Sequence, residues 1–356
     1  MQIYPYIDHA AIAQAFDLTE RYVQDGRVAT AVLAVASASE VVQSAAYAST
    51  NTPISDDSIF LLASITKPIL ALAVMQLVEA GVLDLSQPIK RYLPEFDTPN
   101  KAAITPWHLL THTSGIEEIS WEAALQHRPK HIVSFSAACH AETLFPPGSQ
   151  MSYSTLTFYV LAELITRLSG ESHPSFLYNH IFKPLQMHST SFDPRAEAER
   201  MVSVVGITAN QALTAQEATD FFISFVMPGA GLWSSANDLI LLGQALLQTY
   251  QRQRYDILSP AFLELMTRDH TKGLLHAATN EQGASYGLAW RKGQWTGYYT
   301  IPASPAVFEH DGAAGGLLWI DPSNNLVVVY LTNSFEADSS VRNGALQAIY
   351  RALRWQ

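Results

Sequence analysis

The stretch LLASITKPILALAVMQLVEAG, residues 61–81, admits few placements in a folded chain. From residue 69 to 78 it shows no polar face except Gln76. A helix that is apolar all round has to be buried all round. The run is too short to span a bilayer, which takes about 20 residues, so the rest of the chain must enclose it. Pro68 fits only the first turn of a helix, so the helix begins near Ser64. Ser64 and Lys67 then lie on one face, one turn apart. A lysine aimed into so apolar an element needs a partner or a task.

There is enough chain to enclose it. The sequence has 356 residues, of which 48% are hydrophobic and 15% charged. That composition supports a large core and excludes a disordered chain, and the length corresponds to about two domains. The net charge is −11 and no basic cluster stands out, so neither nucleic acid nor an anionic membrane is an expected partner. Residues 8–25 read as an amphipathic helix closing at Gly26, and 30–37 and 41–48 as two strands joined by a turn. From about 61 to 270 helical signals dominate. Thr105 is a helix cap with Pro106 at the first helical position, a helix over 155–170 closes at Gly170, and Ser235 and Asp238 have capping-box spacing. Strand signals return at 286–292, 315–321 and 324–333, with Asn324 and Asn325 in the turn between the last two. A final helix is expected over 339–354. Strands at both ends and helices between them predict an α/β (α+β) fold. Its antiparallel sheet, built from residues 1–62 and 275–356, is flanked by N- and C-terminal helices. An all-helical domain, residues 63–274, is inserted, and the active site lies at the interface of the two.

The placement of Ser64 has a chemical meaning. At a helix N-terminus the unpaired N–H groups and the macrodipole favour negative charge. A serine attacking a carbonyl there would have its oxyanion stabilised. A lysine in apolar surroundings has a lowered pKa and can take the serine proton. The plainer alternative is a capping serine and a lysine whose stem is buried while its head reaches water. S-x-x-K is a short pattern, but it occurs only once in this chain.

The segments LASITKPILALAVMQLVEAGVLDLSQPIKRYLPEF, ITPWHLLTHTSGI, FPPGSQMSYST, IFKPLQMHSTSF and GLWSSANDL, in that order, resemble the serine β-lactamase-like superfamily. That group includes the class C β-lactamases, D-alanyl-D-alanine carboxypeptidases, D-aminopeptidases and related esterases. The resemblance covers roughly residues 55–320 and implies a β-lactamase/transpeptidase-like fold. It implies Ser64 as nucleophile, Lys67 as its partner and Tyr153, in Tyr153-Ser154-Thr155, as the phenolic proton shuttle. It implies that His310-Asp311-Gly312 is the inner-strand element. There Gly312 allows close approach of substrate, and the Ala313 N–H joins that of Ser64 as oxyanion donor.

Three departures bear on substrate. Thr155 stands where the family has asparagine, and offers one short hydroxyl instead of an amide. His310 stands where β-lactamases have a charged lysine, and holds a substrate carboxylate less well. Ala230 in GAGLWSS stands where class C enzymes carry a tyrosine, which is expected to open the pocket. The expected function is a serine hydrolase acting through an acyl-enzyme on small esters, amides or peptides, with Thr155, His310 and Gly312 binding substrate. The alternatives are a D-alanyl-D-alanine carboxypeptidase or D-aminopeptidase, a weak β-lactamase, or an inactive penicillin-binding-type sensor or structural protein. Retention of Ser64, Lys67 and Tyr153 together favours the enzyme.

Other signals are weaker. Gly283-Ala284-Ser285-Tyr286-Gly287 matches G-x-S-x-G but reads as a turn entering a strand, not as a nucleophile elbow. His108 and His112, four apart, lack the glutamate of a zinc helix, and Pro129 separates His127 from His131. All four are read as structural, and neither metal nor cofactor is expected. Glu117-Glu118 reads as solvated surface, and the single Cys139 as a buried small hydrophobe. The start lacks the basic and apolar regions of a signal peptide, so the expected location is cytoplasmic, or periplasmic or secreted if a leader has been removed.

Overall fold

The computed structural model describes residues 4–49, 53–118, 134–206, 208, 209, 211, 212, 214–283, 285–292, 301 and 303–355. His127 and His131 lie outside these. The helices that matter for the site are α1 (His9–Gln24), α2 (Thr66–Glu79), α3 (Thr157–Ser169), α4 (Ala236–Tyr250) and α5 (Ser339–Arg351). The strands are β1 (Thr30–Ala36), β2 (Val41–Ala48), β3 (Arg291–Lys292), β4 (Phe308–Asp311), β5 (Leu317–Asp321) and β6 (Leu326–Leu331). These six strands form one antiparallel sheet in the order β2–β1–β6–β5–β4–β3. Strands from the two ends of the chain meet where β1 pairs with β6, Val32 opposite Leu331.

Both faces of the sheet are covered. Ile12, Phe16 and Val23 of α1 and Leu346 and Ile349 of α5 pack on Leu33, Val35, Trp319 and Val328. The opposite face, with Val32, Ala34, Leu318, Val327 and Val329, joins the core that surrounds α2. A strand buried on both faces reads as a continuous apolar run, hence LVVVYL in β6. Helix α2 is enclosed as its composition demands. Its residues 66–75 and 77 are buried. The amide of Gln76, the one polar side chain between residues 69 and 78, donates to Ile257 O at 2.9 Å and His180 O at 3.2 Å.

Several sequence expectations change in detail. YGLAWRK is a strand only at Arg291–Lys292. The residues before it form a tight turn with Ala289 at φ +61°. Their N–H groups donate to Met266 O, Leu110 O and Trp290 O, each at 2.7 Å, instead of to a sheet ladder. Ser235 accepts from the Asp238 N–H, but Asp238 turns to the Ser189 N–H and the Thr190 hydroxyl, so only half of the capping box forms. His108 takes the reciprocal part at Thr105, whose N–H donates to its Nδ1 at 3.1 Å. Cys139 is buried. No helix among the described residues is long and apolar enough to cross a membrane.

Helix α4 falls in the span expected to be purely helical, yet it lies on the inner face of the sheet. Gly243 permits this approach, since a Cβ there would sit 2.4 Å from Val327 Cγ1. Gln244 and Gln248 secure the helix by donating to Ser37 O and Ala38 O at the β1–β2 turn. Gly243→Ala should therefore destabilise the fold by about 1–3 kcal/mol through overpacking. This outweighs the usual gain of alanine over glycine in a helix. A lower urea midpoint with unchanged slope is the expected result.

Candidate active site

Ser64 occupies the short 3₁₀ turn Ala63–Ile65 that leads into α2. This turn is clamped from two sides. The Leu62 N–H donates to Leu232 O at 2.8 Å, and the Leu232 N–H to the Thr66 hydroxyl at 3.1 Å. Phe60–Leu61 pairs with Trp233–Ser234, so GLWSS braces the serine. On the other side Gly312 packs so closely that a Cβ would lie 2.3 Å from Leu62 O. Between the clamps Ala63 has φ +46°. That left-handed conformation costs a non-glycine residue about 1–3 kcal/mol and persists only where its surroundings impose it.

Lys67 is 0% exposed. Its Nζ donates to Gly229 O at 2.9 Å and Thr155 Oγ1 at 3.1 Å, and lies 3.2 Å from Ser64 Oγ. Burial pulls its pKa down to about 7, against an opposing pull from Glu118. A neutral amine has two N–H groups and one lone pair. The bonds to Gly229 and Thr155 use both N–H groups, which turns the lone pair toward the Ser64 hydroxyl.

Tyr153 shares the cavity wall with Ser64, and Lys67 Nζ lies 4.7 Å from the centre of its ring. Burial, then Tyr286, pushes the phenol well above its ordinary pKa, so it stays protonated. The ring stacks on His112 at 4.4 Å and 29°. His112 accepts the Ser154 N–H on Nδ1 at 3.2 Å. Burial, then Lys67 and His310, keeps it neutral. His112 is thus the floor beneath Tyr153.

His310 lies on β4 opposite Leu318. Its Nδ1–H donates to Asp311 O at 2.7 Å, which leaves Nε2 as a buried acceptor with no partner among the described residues. Burial, then Arg291, lowers its pKa to about 3, so it is neutral. The Asp311 carboxylate bridges Arg291 and Arg342, the latter at 2.5 Å, and Arg291 also pairs with Glu309 at 2.6 Å. Burial alone would raise the Asp311 pKa, but the two arginines hold it at about 2.

A cavity of about 680 Å³ opens over these groups, with Ser64, Tyr153, Tyr286, His310, Gly312 and Ala313 among its walls. Thr155 is buried beneath it with its hydroxyl on Lys67. Ala230 is 4% exposed and packed in the helical core, so it forms no part of the opening. Gly283 and Tyr286 of the G-x-S-x-G segment are cavity wall. Among the described residues no group of three or more His, Cys, Asp or Glu is placed to hold a metal ion. Sequence reasoning missed His112, Tyr286 and Glu118. Glu118 is not free surface, because its carboxylate accepts the Thr155 N–H.

Comparison with known proteins gives a consistent result. Residues 16–351 match the family model described as Beta-lactamase. Esterase EstB of Burkholderia gladioli is 27% identical over 380 residues, 92% of each chain. Penicillin-binding protein 4 of Amycolatopsis lactamdurans is 27% identical over 344 residues, 93% of this chain and 87% of that one. The solved structure of a family VIII carboxylesterase shares the fold, with a TM-score of 0.80 at 19% identity over 99% of this chain and 100% of that one.

The contact of Gly312 with Leu62 has a measurable consequence. In Gly312→Ala the methyl group must push β4 away from the Ser64 turn. A displacement of about 1 Å at a reacting centre can cost 10²-fold in rate. Hydrolysis of a p-nitrophenyl ester should fall about 10²-fold in kcat/KM, more than any loss in Tm accounts for.

Proposed function

Because the chain belongs to the beta-lactamase family and is a serine hydrolase, we propose that it cleaves small neutral esters through an acyl-enzyme on Ser64. The observation that carries this reading is the buried Lys67 amine, 3.2 Å from Ser64 Oγ with a pKa of about 7. The site lies where the sheet part, residues 1–62 and 275–356, meets the helical part, residues 63–274. Ser64 gives its proton to Lys67 Nζ as Oγ bonds to the carbonyl carbon. The backbone N–H groups of Ser64 and Ala313, both at the cavity wall, stabilise the oxyanion. On collapse the bond to the leaving oxygen breaks, and that oxygen takes the Tyr153 proton, which the Lys67 ammonium replaces. Water then releases the acyl group by the reverse proton path. Tyr153 starts as a phenol, which supports a route through Lys67 over one that begins from a phenolate.

The preference for neutral esters rests on the charges around the cavity. Lys67 reacts as the neutral amine and is held by Gly229 and Thr155, His310 is neutral, and Arg291 and Arg342 are engaged with Asp311. None of these offers an uncommitted cation to a β-lactam or peptide carboxylate. Thr155, engaged with Lys67, gives no amide grip on a peptide.

A panel of p-nitrophenyl acetate and butyrate, D-alanine p-nitroanilide and nitrocefin tests the ordering. The esters should turn over fastest, and faster turnover of nitrocefin would reverse the reading. A fluorophosphonate should add to the folded protein by intact mass and fail to add to Ser64→Ala. No adduct on the parent would favour an inactive sensor. Because the base must be unprotonated, kcat/KM for the ester should be low at acid pH, rise through about pH 7 and then level off.

A further inference from the structure

We propose that Glu118 is a positioning residue of this site: anchored on the Thr155 N–H, its carboxylate supplies the negative charge that holds the Lys67 nitrogen in line with Ser64. The inference rests on the Ser64–Lys67 reading above.

The two neighbouring glutamates take different paths. Glu117 is exposed, whereas Glu118 is half-buried and accepts the Thr155 N–H. Thr155 Oγ1 accepts from Lys67 Nζ at 3.1 Å, and Nζ lies 3.2 Å from Ser64 Oγ. Glu118 and Lys67 thus meet at one residue, the carboxylate on the Thr155 N–H and the amine on its hydroxyl, with Ser64 on the far side of the amine.

The other groups around Lys67 do not supply that charge. Tyr153 is a protonated phenol, and His112 and His310 are neutral. Charge on Lys67 disfavours charge on either histidine. Phe158 presents a ring 5.4 Å away, and Gly229 a carbonyl. Asp311, which faces Tyr153, is committed to Arg291 and Arg342. Glu118 favours the charged form of Lys67.

The need for such a charge follows from the chemistry. When Ser64 attacks, the buried amine becomes an ammonium with no access to water. An uncompensated buried cation is costly. A fixed carboxylate already in place stabilises that cation as it forms, without reorganisation. Through Thr155 it also fixes the hydroxyl that receives one of the amine N–H groups, and so aims the lone pair.

The test is kcat/KM for p-nitrophenyl butyrate against pH in the parent, Glu118→Gln and Glu118→Asp, with Tm measured on each. Glutamine keeps the size and removes the charge. The acid limb should move to lower pH, and the plateau should fall about 10–100-fold, the range expected on losing a charge-assisted contact. Aspartate keeps the charge at a greater distance, so its limb should lie between the two. If Glu118→Gln does not fold, Glu118→Asp measured at low temperature carries the test. A limb that stays at the parent's pH in the folded variants, with kcat/KM lowered equally at every pH, overturns the inference and makes Glu118 merely structural. A parent enzyme with no limb near pH 7 overturns the assignment of Lys67 itself, and this inference with it.

Discussion

A lysine without contact with water governs the layout of this molecule. Removing an ammonium from water is so costly that the group gives up its proton first. The fold exploits that response. It surrounds Lys67 with Gly229 O, the Thr155 hydroxyl and the Tyr153 ring, and leaves the amine facing Ser64. These partners come from two segments remote from α2 in sequence, so the burial of one side chain draws the 150s loop and the 229–234 loop onto the head of α2. The apolar length of α2 keeps that head fixed, because a helix packed on every side cannot turn.

The opposite half of the site is built by close approach, not by charge. Gly312 brings β4 against Leu62 O, and the arginine–carboxylate cluster behind it anchors the strand end through Asp311. The same residue's carbonyl accepts from His310 Nδ1 and fixes its tautomer. The imidazole therefore presents a lone pair, whereas a lysine in that place would present three N–H donors. In the proposed mechanism Ser64, Lys67 and Tyr153 move the protons, while the His310 wall of the cavity offers an acceptor.

Much of this was legible in the sequence. Pro68 and the unbroken apolar run located the head of α2, and Gly26 and Gly170 marked helix ends that adopt φ +73° and +77°. Period and capping signals succeed where a segment obeys one dominant rule. β4 was not read from pattern, because FEHD places two carboxylates and an imidazole in a buried strand, and only their partners elsewhere make that tolerable. The 286–290 turn failed for a related reason. Its alternation imitates a strand, but the N–H groups of Leu288 and Ala289 are claimed by Met266 O and Leu110 O of helices elsewhere in the chain, and that of Gly287 by Trp290 O within the turn. Glu118 looked like surface because nothing local distinguishes it from Glu117. Its significance comes from Thr155, 37 residues away.

The place of β1 in the sheet bears on how the chain is made. One of its edges is covered by the adjacent hairpin strand β2, but the other waits for β6, near the far end of the sequence. Its inner face waits for α4. As the polypeptide emerges, the first hairpin must therefore persist with an open edge and an uncovered apolar face while the helical segment is synthesised. Such distant pairing makes for slow folding. The enclosure of α2 and the closure of the sheet are thus completed together, late in synthesis.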